Sequence, residues 1–498
     1  MKSGAPQLGM SDRLNAVLVR DVQQMLNGRA FLAVLLLSLL SVAVLAALVA
    51  SMSDQSNGRD AFQMVMVALA PVLTLIVPMQ AFFSARQEIG GGASELLLLS
   101  SLTPTRIVWG KLLSSAVQIV LWTSLFAPVM AFTFLLRGIS VVEIGAALLL
   151  AMLFGLTMSA AGIALGTLTV FRRVAQLVNA ASLLALSAGT FFFTGFLAFG
   201  LSELTRGSSV VGTVVAWTIF SSGAAMMLLM IVACSQFTHP YENRSTGFRI
   251  YLPAVSLLCA GLTLALVDKG DRGESLVALA TPLLAVTVVF GVFAATEGAE
   301  LSPRVRALVP AQRTRALLLA PLLPGHGRGL FYTLLMVALL LALYPLARGF
   351  GISSGVSRLY QGYIDAGNVL ALYALFYASI AASIRRRFPE GSSRNWLARL
   401  LVAIVFVLGC ALPVLIQALA QISGWTPLQI LNPFWTLAEL DDDASSAFAI
   451  LAVLTGIALL FQLGPMVRGM LEVAAASRHR RLPPPAEPPL PAPAAHET

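Results

Sequence analysis

Runs of about twenty apolar residues recur along nearly the whole chain, and only short polar stretches separate them. A helix crossing the hydrocarbon core of a bilayer needs roughly 20 such residues. Twelve segments qualify: 30–51, 61–83, 112–136, 144–168, 175–201, 210–233, 250–267, 276–295, 329–346, 366–384, 398–420 and 447–467. The composition agrees, with 58% hydrophobic and 11% charged residues and a mean hydropathy of +0.85, where a soluble globule carries about 25% charge. Lipid offers no partner to an open backbone N–H or C=O, so each segment must satisfy its own as a helix. The expected fold class is therefore all-α, a polytopic transmembrane helix bundle of ten to twelve spans. Segments 250–267 and 329–346 are the shortest, and 175–201 could break at Gly189 or Gly195.

Charge fixes the expected orientation. With the N-terminus in the cytoplasm, 25 of the 32 lysines and arginines fall in cytoplasmic segments. The other seven are Arg59, Arg137, Arg206, Lys269, Arg272, Arg348 and Arg358. This is the positive-inside bias, and it puts both termini in the cytoplasm. The net charge of +9 is thus a topological signal. Its cations are scattered over seven segments without interleaved aromatics, so nucleic acid is not an expected partner. Cys234, Cys259 and Cys410 show no paired spacing, which implies neither a disulfide framework nor a metal site. The N-terminus lacks the short apolar core of a cleavable signal, so the first span is expected to stay as an anchor.

Two segments next to the first spans stand out. Residues 11–29 form an amphipathic pattern, with Leu14, Val17, Leu18, Val22, Met25 and Leu26 on one face. Such a helix lies in the membrane interface. Asp21 falls inside the apolar arc. It is either tolerated near headgroups or aimed at a partner or at Arg86. The second segment is the hairpin 84–111, polar and Gly-rich at 84–93 and then very apolar from Glu95 to Ser101. Thr103 as N-cap and Pro104 at the first helical position open the next helix. An apolar helix held at the cytoplasmic face beside a span is a docking device rather than a catalytic one.

Glu95-Leu96-Leu97-Leu98-Leu99, Leu102-Thr103-Pro104 and Gly110-Lys111-Leu112-Leu113 resemble the signature hairpin of ABC transporter permeases of the type-2 exporter class. There a "TLELLL…PLSP…GKLL" pattern joins the second and third spans. Ala93-Ser94 stands for the family's Thr-Leu, and Ser100-Ser101 departs from it as well. Upstream, Asn15-Ala16-Val17-Leu18-Val19-Arg20-Asp21 is similar to the family's "NPVLVRE". The resemblance reaches to about residue 235.

It implies a membrane-spanning subunit driven by a separate ABC ATPase that docks on the hairpin and the leading helix. The coupling residues carried over are Arg20, Asp21, Arg86, Glu88, Glu95, Leu98, Pro104 and Lys111. None is catalytic, and ATP and Mg would be bound by the partner and not by this chain. The resulting organisation is a tail and cytoplasmic leading helix (1–29), a six-span permease unit (30–235), a second six-span region (236–467), and a basic then Pro-rich disordered cytoplasmic tail (468–498). The second region is no evident copy of the first, so a second permease copy or a homologous permease is expected as a partner, alongside membrane lipid. The implied location is the bacterial cytoplasmic (inner) membrane. Lys111, at the mouth of the third span, reads as an anchor that Arg could replace.

Smaller features carry less. Gly162 and Gly166 have the small-xxx-small spacing of close helix contact, read here as packing within the bundle. Pro71, Pro78, Pro128, Pro282 and Pro413 lie inside spans and imply bent helices. The basic segment 302–328 reads as a solvated topogenic loop, with an interfacial helix or a docking surface as alternatives. Loop 421–446, with Trp425, Trp435 and Asp441-Asp442-Asp443, reads as an outer loop ending in a solvated acidic turn. No phosphate-cradling Gly-x-x-x-x-Gly-Lys-Ser/Thr, His-Glu-x-x-His or Gly-x-Ser-x-Gly occurs. Two other classes remain as alternatives. A self-sufficient secondary transporter commonly needs an intramembrane carboxylate, and every Asp and Glu lies at a span end or in a loop. A polytopic membrane enzyme acting on a lipid-linked substrate needs a clustered polar site, and the four histidines are dispersed.

Overall fold

The computed structural model describes residues 15–51, 58–90, 103–135, 139–168, 172–195, 210–238, 242–298, 300–350, 357–389, 392–421, 426–438 and 440–479. Among them all regular structure is helical, and twelve helices are long and apolar enough to cross a membrane. The chain is a multi-pass membrane protein by that measure. It divides into two compact units, Met1–His239 and Pro240–Thr498.

The first unit opens with α1 (Ala16–Leu26), which the Asn15 side chain caps by accepting from the Val17 N–H. Six spans follow. They are α2 (Arg29–Ser51), α3 (Gly58–Pro71, Val72–Ile76 and Val77–Gly90 in one run), α4 (Pro104–Leu135), α5 (Val141–Gly166), α6 (Arg172–Gly195) and α7 (Val210–Phe237). Helix α2 exposes Leu36, Leu37 and Leu40, the surface that lipid covers. Phe62, Leu69, Leu73, Ile119, Trp122 and Phe126 are fully enclosed at the core between α3 and α4.

Helix α3 is the hub. Pro71 has no N–H to donate, and the next turn, Val72–Ile76, widens to a π-helix. The Thr190 hydroxyl of α6 donates to the Thr74 carbonyl within that turn, at 3.0 Å. On α5, Gly155, Gly162 and Gly166 face α3. A Cβ on Gly155 would sit 3.0 Å from the Leu73 carbonyl oxygen, and Cβ atoms on Gly162 and Gly166 would collide with the carbonyls of Pro78 and Phe82. These glycines let two helix backbones touch, as small residues do in membrane bundles.

The second unit contains α8 (Thr246–Leu266), α9 (Arg272–Ala295), the short helices α10 (Pro303–Leu308) and α11 (Arg313–Leu319), α12 (His326–Leu341) continuing as α13 (Leu343–Gly349), α14 (Ser357–Arg386), α15 (Ser392–Ala420), α16 (Pro433–Ala438) and α17 (Leu440–His479). Ala378, Ala381 and Ala382 of α14 are buried with Ala295 of α9 and Leu330 of α12. Tyr373 and Tyr377 of α14 donate to the carbonyls of Ile430 and Leu431 at 2.8 and 2.5 Å.

Several expectations need correction. The second span runs on to Gly90 rather than ending at 83, and the third begins at Pro104 rather than 112. The polar residues that seemed to end them, Ser84, Glu88 and Lys111, satisfy one another, so the helices need not stop. Segment 302–328 is no solvated loop. Leu301, Val305, Val309, Ala316, Ala320 and Leu323 are buried with Val473 of α17. Segment 426–438 folds against α14, with Gln429 and Thr436 buried. Asp441-Asp442-Asp443 belong to the first turn of helix α17 rather than forming a turn of their own.

The α3–α5 contact makes a specific claim about stability. Gly162→Val should destabilise the folded chain by about 1–3 kcal/mol, the usual cost of overpacking. Gly145→Val, where a Cβ meets open space, should melt with the wild type. Thermal unfolding in detergent tests both; an unshifted melt for Gly162→Val would contradict the close approach.

Candidate functional site

The polar residues of α1, the end of α3 and the start of α4 meet in one cluster. Three features of the sequence bring them together. Asn15 donates from its side chain to the Arg106 carbonyl at 2.6 Å, pinning the start of α1 to α4. Gly110 lets the helices touch, since a Cβ there would lie 2.9 Å from Asn15 Nδ2 and from Val17 Cβ. Asp21, one turn on from Val17, then points inward with it.

Lys111 is 2% exposed, Asp21 9% and Glu88 7%. The Lys111 ammonium sits 3.1 Å from Asp21 Oδ2, 3.1 Å from Glu88 Oε1 and 2.6 Å from Ser84 Oγ. An ammonium has three donors, and these three oxygens match them. Ser84 in turn donates to Asp21 Oδ2 at 3.2 Å. Arg20, half exposed, donates to Asp21 Oδ1 at 2.8 Å and also to Glu88. Two cations thus face two carboxylates, and the cluster is formally neutral. Partial burial alone would lower the Arg20 pKa, but the Glu88 and Asp21 carboxylates outweigh it and hold the guanidinium above its ordinary value. Glu88 Oε2 is buried without a partner.

The other expected site residues sit elsewhere. Arg86 does not meet Asp21; it donates to the Leu168 carbonyl just past the end of α5, where helices leave open carbonyls. Pro104 is the first residue of α4, and the Thr103 hydroxyl accepts weakly from the Arg106 N–H at 3.4 Å. Gly162 and Gly166 lie at the α3–α5 contact. Glu95 and Leu98 lie outside the described residues.

A second buried cluster was not foreseen. Arg249, fully enclosed on the first turn of α8, donates to the carbonyls of Pro321 (2.8 Å), Leu323 (2.5 Å) and Ala294 (3.2 Å) and to Glu297 Oε2 (2.5 Å). Arg328, on the first turn of α12, donates to the carbonyls of Pro324 (2.7 Å) and Gly469 (3.1 Å) and to Glu472 Oε2 (2.9 Å). Gly325, at φ +142°, makes this turn possible, since a side chain there would overlap the Arg328 guanidinium. The signal was present in the sequence: Arg249 follows Phe248 and precedes Ile250 and Tyr251, an apolar setting in which an unpaired cation would be costly.

The Lys111 donors are all committed, and no group of three His, Cys, Asp or Glu among the described residues could hold a metal. What the first cluster does is bind three elements into one body. No protein family, characterised protein or solved structure matches this chain.

The geometry revises the expectation that Arg could replace Lys111. A planar guanidinium cannot present three donors to oxygens converging on one point. Lys111→Met leaves two buried carboxylates with one cation and should cost about 3–5 kcal/mol. Lys111→Arg should also destabilise, by less. Adding Asp21→Asn to Lys111→Met should recover part of the loss in a double-mutant cycle read by thermal unfolding. A Lys111→Arg protein that melts with the wild type would contradict the cluster as described.

Proposed function

We propose that the chain is the membrane-spanning permease subunit of an exporter-type ABC transporter, driven by a separate ATPase that docks on hairpin 84–111 and helix α1. The observation that carries this reading is the meeting of Arg20, Asp21, Glu88 and Lys111. These residues come from segments up to 90 positions apart, and four of the eight coupling residues suggested by the hairpin resemblance converge in this one cluster. A push on the hairpin would be delivered through it to the second span, the third span and the leading helix together. The cluster is buried and neutral, so it stays joined as the push passes through.

The orientation belongs to this reading. The charge bias places both termini and the hairpin in the cytoplasm, where ATP is available, and the membrane is the bacterial cytoplasmic membrane. ATP and Mg are bound by the partner. The chain itself has no phosphate-cradling loop and acts as a mechanical element rather than an enzyme.

Three measurements test it. In a variant lacking Cys234, Cys259 and Cys410, Arg387→Cys should be labelled by an impermeant thiol reagent only from the cytoplasmic side; labelling from outside intact cells would reverse the topology. Purified and reconstituted alone, the chain should hydrolyse no ATP, and Leu98→Asp should weaken ATPase binding at least about tenfold, because a charge placed in an apolar interface costs well over 1.4 kcal/mol. Full binding and full transport by Leu98→Asp would make the hairpin a mere loop and defeat the proposal.

A further inference from the structure

The two units repeat one packing scheme. In each, the second span packs most extensively on the fourth, and the fourth also packs on the sixth. The third touches the second, fourth and sixth, the fifth touches the fourth and second, and the first touches the second and third. No other pair of spans within a unit shares an extensive contact among the described residues. Chain neighbourhood does not explain this. The fifth and sixth spans follow one another in sequence, yet neither unit packs them together, while both join the third to the sixth.

Local chemistry repeats as well. Val67-Ala68-Leu69-Ala70-Pro71 in α3 is echoed by Val277-Ala278-Leu279-Ala280-Thr281-Pro282 in α9. Glu88 and Glu297 follow those valines by 21 and 20 residues, each at the end of a second span. Each carboxylate accepts from an arginine near the start of its unit: Glu88 from Arg20, in α1 ahead of the first span, and Glu297 from Arg249, in the first turn of the first span. Each third span carries a Gly–cation pair near its start, Gly110-Lys111 and Gly327-Arg328. The repeat is not perfect: Lys111 bonds Glu88 directly, whereas Arg328 turns to Glu472 of the sixth span and the Gly325 N–H takes up Glu297.

We infer that the chain is a tandem duplicate of one six-span unit, that residues 296–325 of the second unit are the counterpart of the hairpin in the first, and that they dock a second copy of the ATPase. This rests on the function proposed above. One chain then supplies both halves of the transporter, and no second copy of it is required. The surface fits that occupant. Helices α10 and α11 bury their apolar side on Val473 and leave Leu308 and Leu318 exposed, at 65% and 81%; Arg313 and Arg315 are exposed on α11, while Arg304 and Arg306 pair with Glu242 and Glu472. Exposed leucines on short helices that also carry exposed arginines match a partner with an apolar groove and acidic residues beside it. The charge bias that puts 84–111 in the cytoplasm puts 296–328 there too.

The test is the stoichiometry of the full chain with its co-expressed ATPase, by native mass spectrometry from lipid nanodiscs. One chain with two ATPases is expected; two chains with two ATPases would overturn the inference. Leu98→Asp and Leu318→Asp should each lower the occupancy from two ATPases to one, and together to none. Leu318 is largely exposed, so its substitution should leave the melting temperature unchanged, and Leu308→Asp provides an independent variant of the same surface. If Leu98→Asp acts while Leu318→Asp and Leu308→Asp retain two ATPases, the inference fails and the proposed function stands. If the unmodified chain binds no ATPase at all, the proposed function fails and the inference falls with it. If Leu318→Asp leaves ATPase binding intact but weakens binding to phosphatidylglycerol vesicles, segment 296–325 is a lipid contact and the inference is wrong.

Discussion

A charge enters the interior of an apolar helix bundle only when its partner enters with it. That constraint shapes both units of this protein. In the first, Lys111 could not sit about two turns into α4 without Asp21 and Glu88, and Asp21 reaches it only because Gly110 lets α1 lie directly on α4. The leading helix, the second span and the third span are therefore held by a polar contact that none could make alone. In the second unit Arg249 and Arg328 are held largely by backbone carbonyls of α9, of α17 and of segment 320–324. The Ala294 carbonyl lies in the last turn of α9, where it would otherwise be an open acceptor, so Arg249 completes that helix end as it is itself satisfied.

Away from the charges, the bundle rests on close contact between backbones. Helix–helix association in lipid has no hydrophobic drive, so it relies on dispersion at short range. Gly155, Gly162 and Gly166 give α5 that proximity to α3, and the alanines of α14 occupy the equivalent position in the second unit. The second span of the first unit carries the polar cluster at one end and a proline-induced π turn in its middle. Such a helix joins a stiff end to a softer midpoint, and a displacement applied at the cluster would be taken up near Val72–Ile76.

The spans were legible because crossing lipid is a demand on composition alone, which a sequence displays directly. Their ends were not. Ser84, Glu88 and Lys111 each look like a reason for a helix to stop, and only their mutual pairing shows that it continues. Asp21 was visible as a charge out of place in an apolar arc, but its partner was misjudged: Arg86 is nearer in the hairpin's polar run, while Lys111 lies 90 residues away and meets it only in the fold. The segment 302–328 was misread because its arginines dominate a count of charge. The apolar residues Leu301, Val305 and Val309 recur every four positions beneath them, and that spacing was the signal of a buried face. The repeat between the two units was hidden because it is kept by packing order and a few polar positions, while most lipid-facing residues can be exchanged among Leu, Val, Ile and Ala without effect on either.

The central claim is that the cluster makes α1 and the end of α3 move as one body. Pulsed electron-spin distance measurements test it directly. Spin labels would be placed at Gln24→Cys on α1 and Gln87→Cys on α3, both exposed positions, in a variant lacking the native cysteines. In complexes with the proposed ATPase, the distance between them should stay the same in the nucleotide-free and ATP-trapped states while the cluster is intact, and should change between those states once Lys111→Met breaks it. A distance that changes with nucleotide while Lys111, Asp21 and Glu88 are all in place would contradict the account.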